Sequence, residues 1–439
     1  MDRTPDPPDP PNPPEPADRH VVMSPLSQGE TVPAEQPIRP LWEGPFRLLV
    51  AAHGFSGLAF WAFFGTIFAE ATYHYHATQS EMAVLGMALS VPFILGSLAQ
   101  GLVVDRWSPK WIAIIGYVLA CIAVSIAWTG HSLGALYASA FTIGLSWAAV
   151  EPARSALTGL LVDEDRLVRA NGTLAVVFQV SLALGPLVSG WLLATTGADT
   201  VYAVAFGLAV MAPLLLLGIP DVRQRGRRPE LSFSGVRDGW RFSVTHPDLR
   251  ILLVVSAAAW GLFNVFFILE PIFVKTVLER GESAVLFLWF AHGAGATAGA
   301  LVVTSWRRAA GREAVLVCAG VTLAGLGIFI YTGVAVFAVA LAAAAVVGIG
   351  FAFLYPLLMA YLQRVAPEEM RGRVTSVFIS LQEGTGLVTS LGVFVLGARL
   401  AVQPTLVAGG ALIVVCGLVG LRAQQRLERE RRRRDASAA

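Results

Sequence analysis

The chain has 439 residues, 55% of them hydrophobic and 14% charged, with a formal net charge of +2 and a mean hydropathy of +0.64. An ordinary soluble domain carries about 25% charged residues. A water-exposed surface this short of charge would present apolar patches large enough to aggregate, so a freely soluble globular protein is excluded.

Residues 1–40 hold 12 of the 25 prolines, mixed with Asp and Glu and without an apolar core. The segment is therefore not a signal peptide, and residues 1–45 read as an extended, disordered cytoplasmic tail. Apolar runs follow at 46–72, 81–103, 110–128, 132–155, 168–195 and 199–219, then at 250–276, 283–305, 313–331, 334–362, 371–398 and 402–421. About 20 helical residues cross ~30 Å of hydrocarbon, and each run suffices. An open strand edge in lipid would leave backbone groups unpaired, so the runs are helices. The expected fold is an all-α membrane protein with twelve transmembrane helices in two six-helix bundles, 46–219 and 250–421.

Between the bundles lies a cytoplasmic linker, 220–249, carrying Arg223, Arg225, Arg227, Arg228, Arg237 and Arg241. A basic cytoplasmic tail, 422–439, contains Arg426, Arg429 and four arginines at 431–434. It reads as a helix end lying near anionic lipid; no globular nucleic-acid reader accompanies it. With the N-terminus on the cytoplasmic side, inner loops and tails hold 29 Arg or Lys, while the outer side holds Lys275, Arg280 and Arg399. That asymmetry places both termini in the cytoplasm of a multi-pass protein of the cell membrane.

Thirty of the 32 basic residues are arginine. The two lysines, Lys110 and Lys275, follow Pro109 and Val274, so neither belongs to a Gly-Lys-Ser/Thr phosphate loop. Uphill transport must then draw on an ion gradient or a partner protein. Cys121, Cys318 and Cys416 each sit inside an apolar run and read as small core hydrophobes. No His, Cys and carboxylate cluster has metal-site spacing, and no nucleophile–base arrangement is legible, so no metal, no cofactor and no enzyme activity are expected.

The halves repeat. Leu102-Val103-Val104-Asp105-Arg106-Trp107 aligns with Leu301-Val302-Val303-Thr304-Ser305-Trp306 at an offset of 199. Pro152, Glu164, Asp165 and Arg169 align with Pro356, Glu368, Glu369 and Arg373 at an offset of 204. Two related six-helix units around a midplane site form a secondary-transporter architecture.

The loop after the second run reads Gly101-Leu102-Val103-Val104-Asp105-Arg106-Trp107-Ser108-Pro109-Lys110. It resembles the signature loop of the major facilitator superfamily, in which such contacts lock the cytoplasmic side. The resemblance implies a gate made of Gly101, Asp105, Arg106 and Lys110. Gly101 allows close helix approach, and Asp105 faces either the N-terminus of the eleventh helix or an arginine such as Arg154. The fifth run, with Ser181, Gly185, Pro186, Ser189 and Gly190, resembles the antiporter signature of the drug-exporting branches. Glu151-Pro152-Ala153-Arg154, Arg169-Ala170-Asn171, and Gln363, Pro367 and Arg371-Gly372-Arg373-Val374 are similar to the enterobactin-exporter-like branch. The resemblance covers roughly residues 45–420. It departs from the family pattern at Ala140, four residues before Gly144, where many members carry arginine, and at Thr304 in place of the repeat's Asp.

An ionisable group at the bilayer centre costs at least ~2.5 kcal/mol on insertion scales, so each needs a reason. Glu383, ten residues past Arg373 and roughly 15 Å up its helix, either carries a proton or contacts substrate, or it hydrogen-bonds a neighbouring helix in its neutral form. Gln179 is its repeat partner. His292, Gln179 and Asn264 near the midplane either meet substrate or join helices. Glu70 and Glu270, at equivalent positions in the two halves, line an outer vestibule or reach the headgroups. His53 sits low in the first helix. The expected function is proton-coupled export of a small amphipathic molecule such as a drug, siderophore or secondary metabolite. An importer or facilitator on the same fold and a non-transporting receptor or scaffold are the alternatives. The expected partners are a small-molecule substrate, protons and the lipid bilayer, with no nucleic acid, and the protein is expected to be a monomer.

Overall fold

The computed structural model describes residues 44–103, 108–221, 233–305, 311–367 and 370–438. Among these residues there are thirteen α-helices and no strand. The first half contributes α1 (Phe46–Tyr73), α2 (Gln79–Val103), α3 (Pro109–Gly130), α4 (Leu133–Leu161), α5 (Leu167–Thr195) and α6 (Ala198–Leu217). A short helix follows, α7 (Phe233–Thr245). The second half contributes α8 (Pro247–Thr276), α9 (Glu282–Ser305), α10 (Glu313–Gly333), α11 (Phe337–Val365), α12 (Arg371–Leu396) and α13 (Val402–Ala438). All but α7 are long and apolar enough to cross a membrane, twelve spans in all.

Local chemistry sets the ends. Pro109 and Pro247 open α3 and α8, where the missing N–H costs nothing. Ser132 caps α4 by accepting the Ala135 N–H at 3.1 Å. The α5–α6 turn uses Gly197 at φ +90°, a conformation a side chain would strain.

The two halves share one packing plan. In the first, α1 packs on α5 and α6, α3 on α4 and α6, and α2 on α4. In the second, α8 packs on α12 and α13, α10 on α11 and α13, and α9 on α11. Each second-half pair is the six-helix counterpart of a first-half pair. Between halves, α5 meets α9 and α2 meets α12, which is again a pair related by the repeat. Equivalent glycines make equivalent contacts. A Cβ on Gly144 of α4 would collide with the Leu89 carbonyl of α2, and one on Gly348 of α11 with the His292 carbonyl of α9. Close approach of this kind replaces the hydrophobic drive that lipid cannot supply.

The loops joining α2 to α3, α4 to α5, α9 to α10 and α11 to α12 define an arginine-rich end; the other end is arginine-poor. One large apolar cluster crosses between the halves and includes Phe64, Ile67 and Phe68 of α1 with Phe273 of α8 and Trp289 of α9. A second cluster, around Phe46, Leu49, Ile112, Leu157 and Leu216, holds no residue of α8–α13 among the described residues. The halves are thus fused toward the arginine-poor end.

One expectation changes. The segment 220–249, expected as a linker loop, contains α7, whose Gly239 lies against the Arg373 backbone of α12 at 3.0 Å for an added Cβ. Its polar face kept it from looking like a helix beside the apolar runs. The basic tail 422–439, read as a helix end, does continue α13 as far as Ala438, because no Gly or Pro interrupts its Arg, Gln and Glu residues. The tail within residues 1–43, together with Asp105, Arg106, Glu368 and Glu369, lies outside the described residues.

Candidate functional site

The helices bring polar groups together in three layers. At the arginine-poor end, side chains stitch one half to the other. Tyr73 Oη donates to the Arg280 carbonyl at 2.6 Å, Gln79 Nε2 to the Leu400 carbonyl at 2.8 Å, and Ser80 Oγ to the Phe394 carbonyl at 2.8 Å. Lys275 Nζ donates to the Thr72 carbonyl at 2.6 Å, meets His76 Nδ1 at 2.9 Å, and lies 5.3 Å from the centre of the Tyr73 ring. Tyr75, in the α1–α2 loop, has its phenol pushed up, first by burial and then by the nearby Glu70 carboxylate.

Next comes an aromatic plug. Phe64 of α1 stacks on Phe267 of α8 at 5.5 Å and touches Trp289 of α9 at 5.6 Å; Phe68 reaches the same two rings at 6.0 and 6.3 Å. The plug continues through Phe263, which packs on Phe351 at 4.1 Å and on His292 at 5.6 Å. On the first-half side, Phe60 stacks on Trp147 at 4.6 Å. His292 is therefore a half-buried member of an aromatic stack.

Glu383 lies twelve residues into α12, about 18 Å along its axis. It is half-buried and makes no hydrogen bond or ion pair among the described residues. Gln179 on α5 is likewise half-buried without a hydrogen-bond partner among them. Gln382 beside Glu383 is buried with Nε2 unsatisfied, as is the indole Nε1 of Trp61. Unpaired polar atoms inside a helical bundle are what a site keeps for a ligand with a polar group. Asn264 is not free in this way. Its Nδ2 donates to the Gly386 carbonyl at 2.9 Å and to Ser390 Oγ at 2.8 Å, which clamps α8 to α12.

Toward the arginine-rich end, Arg154, one of two partners expected for Asp105, is engaged by Glu151 on its own helix at 2.5 Å. Gly101 is in the last turn of α2. Lys110 Nζ donates to the Leu217 and Ile219 carbonyls at 3.1 and 2.6 Å, capping the end of α6 within its own half. Ser108 Oγ is hydrogen-bonded to Asp221. His53 is buried and stacks on Phe178. On α5, a Cβ on Gly185 would press on Trp61 and Ala62 of α1, and one on Gly190 on Leu286 and Phe287 of α9. Pro186 is buried beside them, so the small-residue stripe is a packing face.

The two carboxylates toward the arginine-poor end are both held. Glu70 accepts a hydrogen bond from Tyr202. Glu270 is buried and accepts from Trp289 and Tyr331. Sequence reasoning found the carboxylates but not these partners, which come from other helices at separations of 132, 19 and 61 residues.

Residues 49–390 match the sequence pattern of the Major Facilitator Superfamily. The multidrug efflux pump Tap of Mycolicibacterium fortuitum is 25% identical over 71% of this chain and 79% of its own. The Tap pump of Mycobacterium tuberculosis is 24% identical over 79% and 85%. The MFS-type transporter YfiS of Bacillus subtilis is 22% identical over 85% and 91%. Among solved structures, a POT family transporter in complex with a thioalcohol-conjugated peptide superposes with a TM-score of 0.72 at 12% identity, covering 87% of this chain and 96% of that one. The nucleoside transporter NupG superposes with a TM-score of 0.64 at 13% identity, covering 86% and 98%. These two likenesses carry the fold. The family and the relatives are transporters, not enzymes. Twelve spanning helices, a packing plan used twice and a family pattern covering most of the sequence lead to one conclusion: the chain belongs to the major facilitator superfamily and is a multi-pass membrane transporter of small molecules.

Proposed function

We propose that this transporter exports small amphipathic molecules from the cell in exchange for protons. The observation that carries the reading is Glu383, a carboxylate half-buried in the middle of a spanning helix without a hydrogen-bond partner among the described residues. A group so placed must be discharged by a proton or by a ligand. The plug rings and their continuation through Phe263, Phe351 and Phe60 suit a substrate with a flat apolar body. The Tap relatives, named as multidrug efflux pumps, support the outward direction.

In this reading the bundles are 46–219 and 250–421, the chain is a monomer in the plasma membrane, and the arginine-rich end with both termini is cytoplasmic. The stitched, plugged end is then the outer side, closed, with the site reached from within. Opening it breaks the four tethers from Tyr73, Gln79, Ser80 and Lys275 and the ring contacts of Phe64 and Phe68. At about 0.5–1.5 kcal/mol for each bond and each aromatic pair, the barrier to redistribution is on the order of 5 kcal/mol. That is close to the ~5.5 kcal/mol of differential binding that carries a two-state population from 1:99 to 99:1. Substrate and proton together supply energy on this scale, and neither needs ATP.

The test is Glu383→Gln in proteoliposomes. With an imposed pH gradient and a fluorescent lipophilic dye, the wild type accumulates dye against its gradient. The variant loses that accumulation by more than tenfold while still exchanging dye down a dye gradient. Unchanged proton-driven accumulation removes Glu383 from the mechanism.

A further inference from the structure

Glu270 has a role that the export cycle above does not use. Both of its carboxylate oxygens are taken in the closed outer end. Oε2 accepts from Trp289 Nε1 at 2.9 Å and Oε1 from Tyr331 Oη at 2.5 Å, and the residue is 2% exposed. Tyr331 is wholly buried, with Phe266 at 5.1 Å and Phe273 at 5.8 Å fixing its ring. Trp289 serves a second purpose. It stacks on Phe267 at 4.3 Å and carries the plug across to Phe64 and Phe68 of the other half. Gly65 of α1 admits it, since a Cβ there would stand 3.1 Å from the indole. The ring that bridges the halves is thus the ring hydrogen-bonded to a buried carboxylate.

The donor set distinguishes the two forms of the acid. An ionised carboxylate only accepts, and indole N–H and phenol O–H satisfy it from both sides. A neutral acid adds an O–H. Trp289 cannot accept it, because an indole N–H only donates. Tyr331 can accept it, but its own proton then loses its acceptor. One buried donor is left unpaired either way, so the arrangement fits the ionised form and disfavours the neutral one. Titratable groups on the surrounding elements are Glu70 and Tyr73 on α1, Glu81 on α2, Glu282 and His292 on α9, Tyr331 on α10 and Glu383 on α12; Lys275 on its own helix turns to Thr72 and His76. The titratable residues of α11 and α13, and Glu313 of α10, lie toward the other end. Of these groups Tyr331 is bonded to Glu270.

We infer that Glu270, Trp289 and Tyr331 form a proton-binding latch on the outer gate: the ionised carboxylate holds Trp289 in the plug, and protonation releases it. Acid on the outer side then favours outward opening, which is where an exporter discharges substrate. The inference rests on the alternating-access part of the proposed function and adds a second proton site to Glu383.

The experiment uses the full chain in lipid nanodiscs, with its three cysteines replaced by alanine and spin labels at His74→Cys and Gly281→Cys. Both positions are exposed, and they lie at the outer ends of opposite halves. The wild-type background gives one short distance at pH 8 and gains a longer component, at least threefold in population, at pH 5.5. Glu270→Gln shows the long component at both pH values, Trp289→Phe loses the pH step, and Glu70→Gln keeps it. Tyr331→Phe, which removes one hydroxyl, enlarges the long component at pH 8 and serves if Glu270→Gln fails to fold. A wild-type distance indifferent to pH, or the full step in Glu270→Gln or in Tyr331→Phe, overturns the latch. If the step is lost in Glu270→Gln but no dye is exported by the wild type, the latch stands and the export reading falls. If export is proton-driven but the step is absent, the reverse holds.

Discussion

Set side by side, the two halves share a packing plan but not a distribution of polar groups. Near the arginine-rich end of the first half, Glu151 grips Arg154 and Lys110 caps α6. The second keeps a carboxylate at mid-membrane, Glu383, where the first has Gln179 at the same place in the repeat. The residue at the Glu151 position is Tyr355, 204 residues on, and Leu358 stands at the Arg154 position. The carboxylates toward the arginine-poor end diverge as well. Glu70 is half-buried and held by Tyr202, while Glu270 is fully buried between two donors, one of them part of the plug. Packing is thus common property, repeated because both halves must bury the same helix faces. The proposed proton chemistry falls mainly in the second half.

The strongest way to break this division is to move the carboxylate. Glu383→Gln combined with Gln179→Glu keeps the number of mid-membrane carboxylates and changes the half that holds it. The double variant is expected to stay more than tenfold below wild type in proton-driven dye export, a loss of at least ~1.4 kcal/mol in the driven step. Export restored to within a factor of two would mean the halves are interchangeable at this position, and the asymmetry would have no mechanistic content.

Packing symmetry can be sharpened by the paired glycines. Gly144→Ala and Gly348→Ala each put a methyl group against a carbonyl of the neighbouring helix. Overpacking of this kind costs about 1–3 kcal/mol, and the two variants are expected to lower the thermal midpoint in detergent by similar amounts. A tolerated Gly144→Ala beside a crippling Gly348→Ala would show that the first half yields where the second does not.

Much of this frame is legible in the sequence, and the reason is physical. A spanning helix must be apolar for about 20 residues, so its existence is written in composition. Helix ends were less legible. α4 continues to Leu161, six residues past the expected end, because Ser155, Thr158 and Gly159 interrupt the apolar run without stopping the helix. The short helix α7 was hidden by its arginines. Within the site, the spacing of Glu151 and Arg154 is visible in the sequence, whereas the partner of Asp105, left open between a helix N-terminus and an arginine such as Arg154, lies outside the described residues. Asn264 was recognised as polar and midplane, but its use as a clamp depends on Gly386 and Ser390 of α12, more than 120 residues later. Trp289 and Tyr331 carry no sequence signal of their role, since buried aromatics are expected throughout such a protein.

The smallest predicted effect concerns how each half ties its arginine-rich end. The first half uses Lys110 on backbone carbonyls. The second uses the tail: Asp248, 3% exposed, accepts from Tyr361 Oη at 2.8 Å and from Arg431 of α13, and its carbonyl accepts from Gln424 at 3.2 Å. His246, just before α8, sits beside this cluster with a buried, unsatisfied Nδ1. Burial holds its imidazole below the usual histidine range and Arg431 lowers it further, while Asp248 opposes both. A histidine whose folded pKa is depressed gives stability that is complete above its unfolded pKa, near 6.5, and declines as pH falls below that value. The wild type is therefore expected to lose thermal stability between pH 7 and pH 5.5 through this group, and His246→Gln to lose less. Arg431→Ala should act twice. It removes an ion pair whose arginine is half-exposed, costing about 1 kcal/mol or less at pH 8, and it relieves the repulsion on a protonated His246, so the acid-side decline becomes shallower. Thermal midpoints of the three proteins at pH 8 and 5.5 separate these contributions. An identical acid-side decline in all three would detach His246 from the tail and leave the second half tied by Asp248 and Tyr361 without any help from charge on α13.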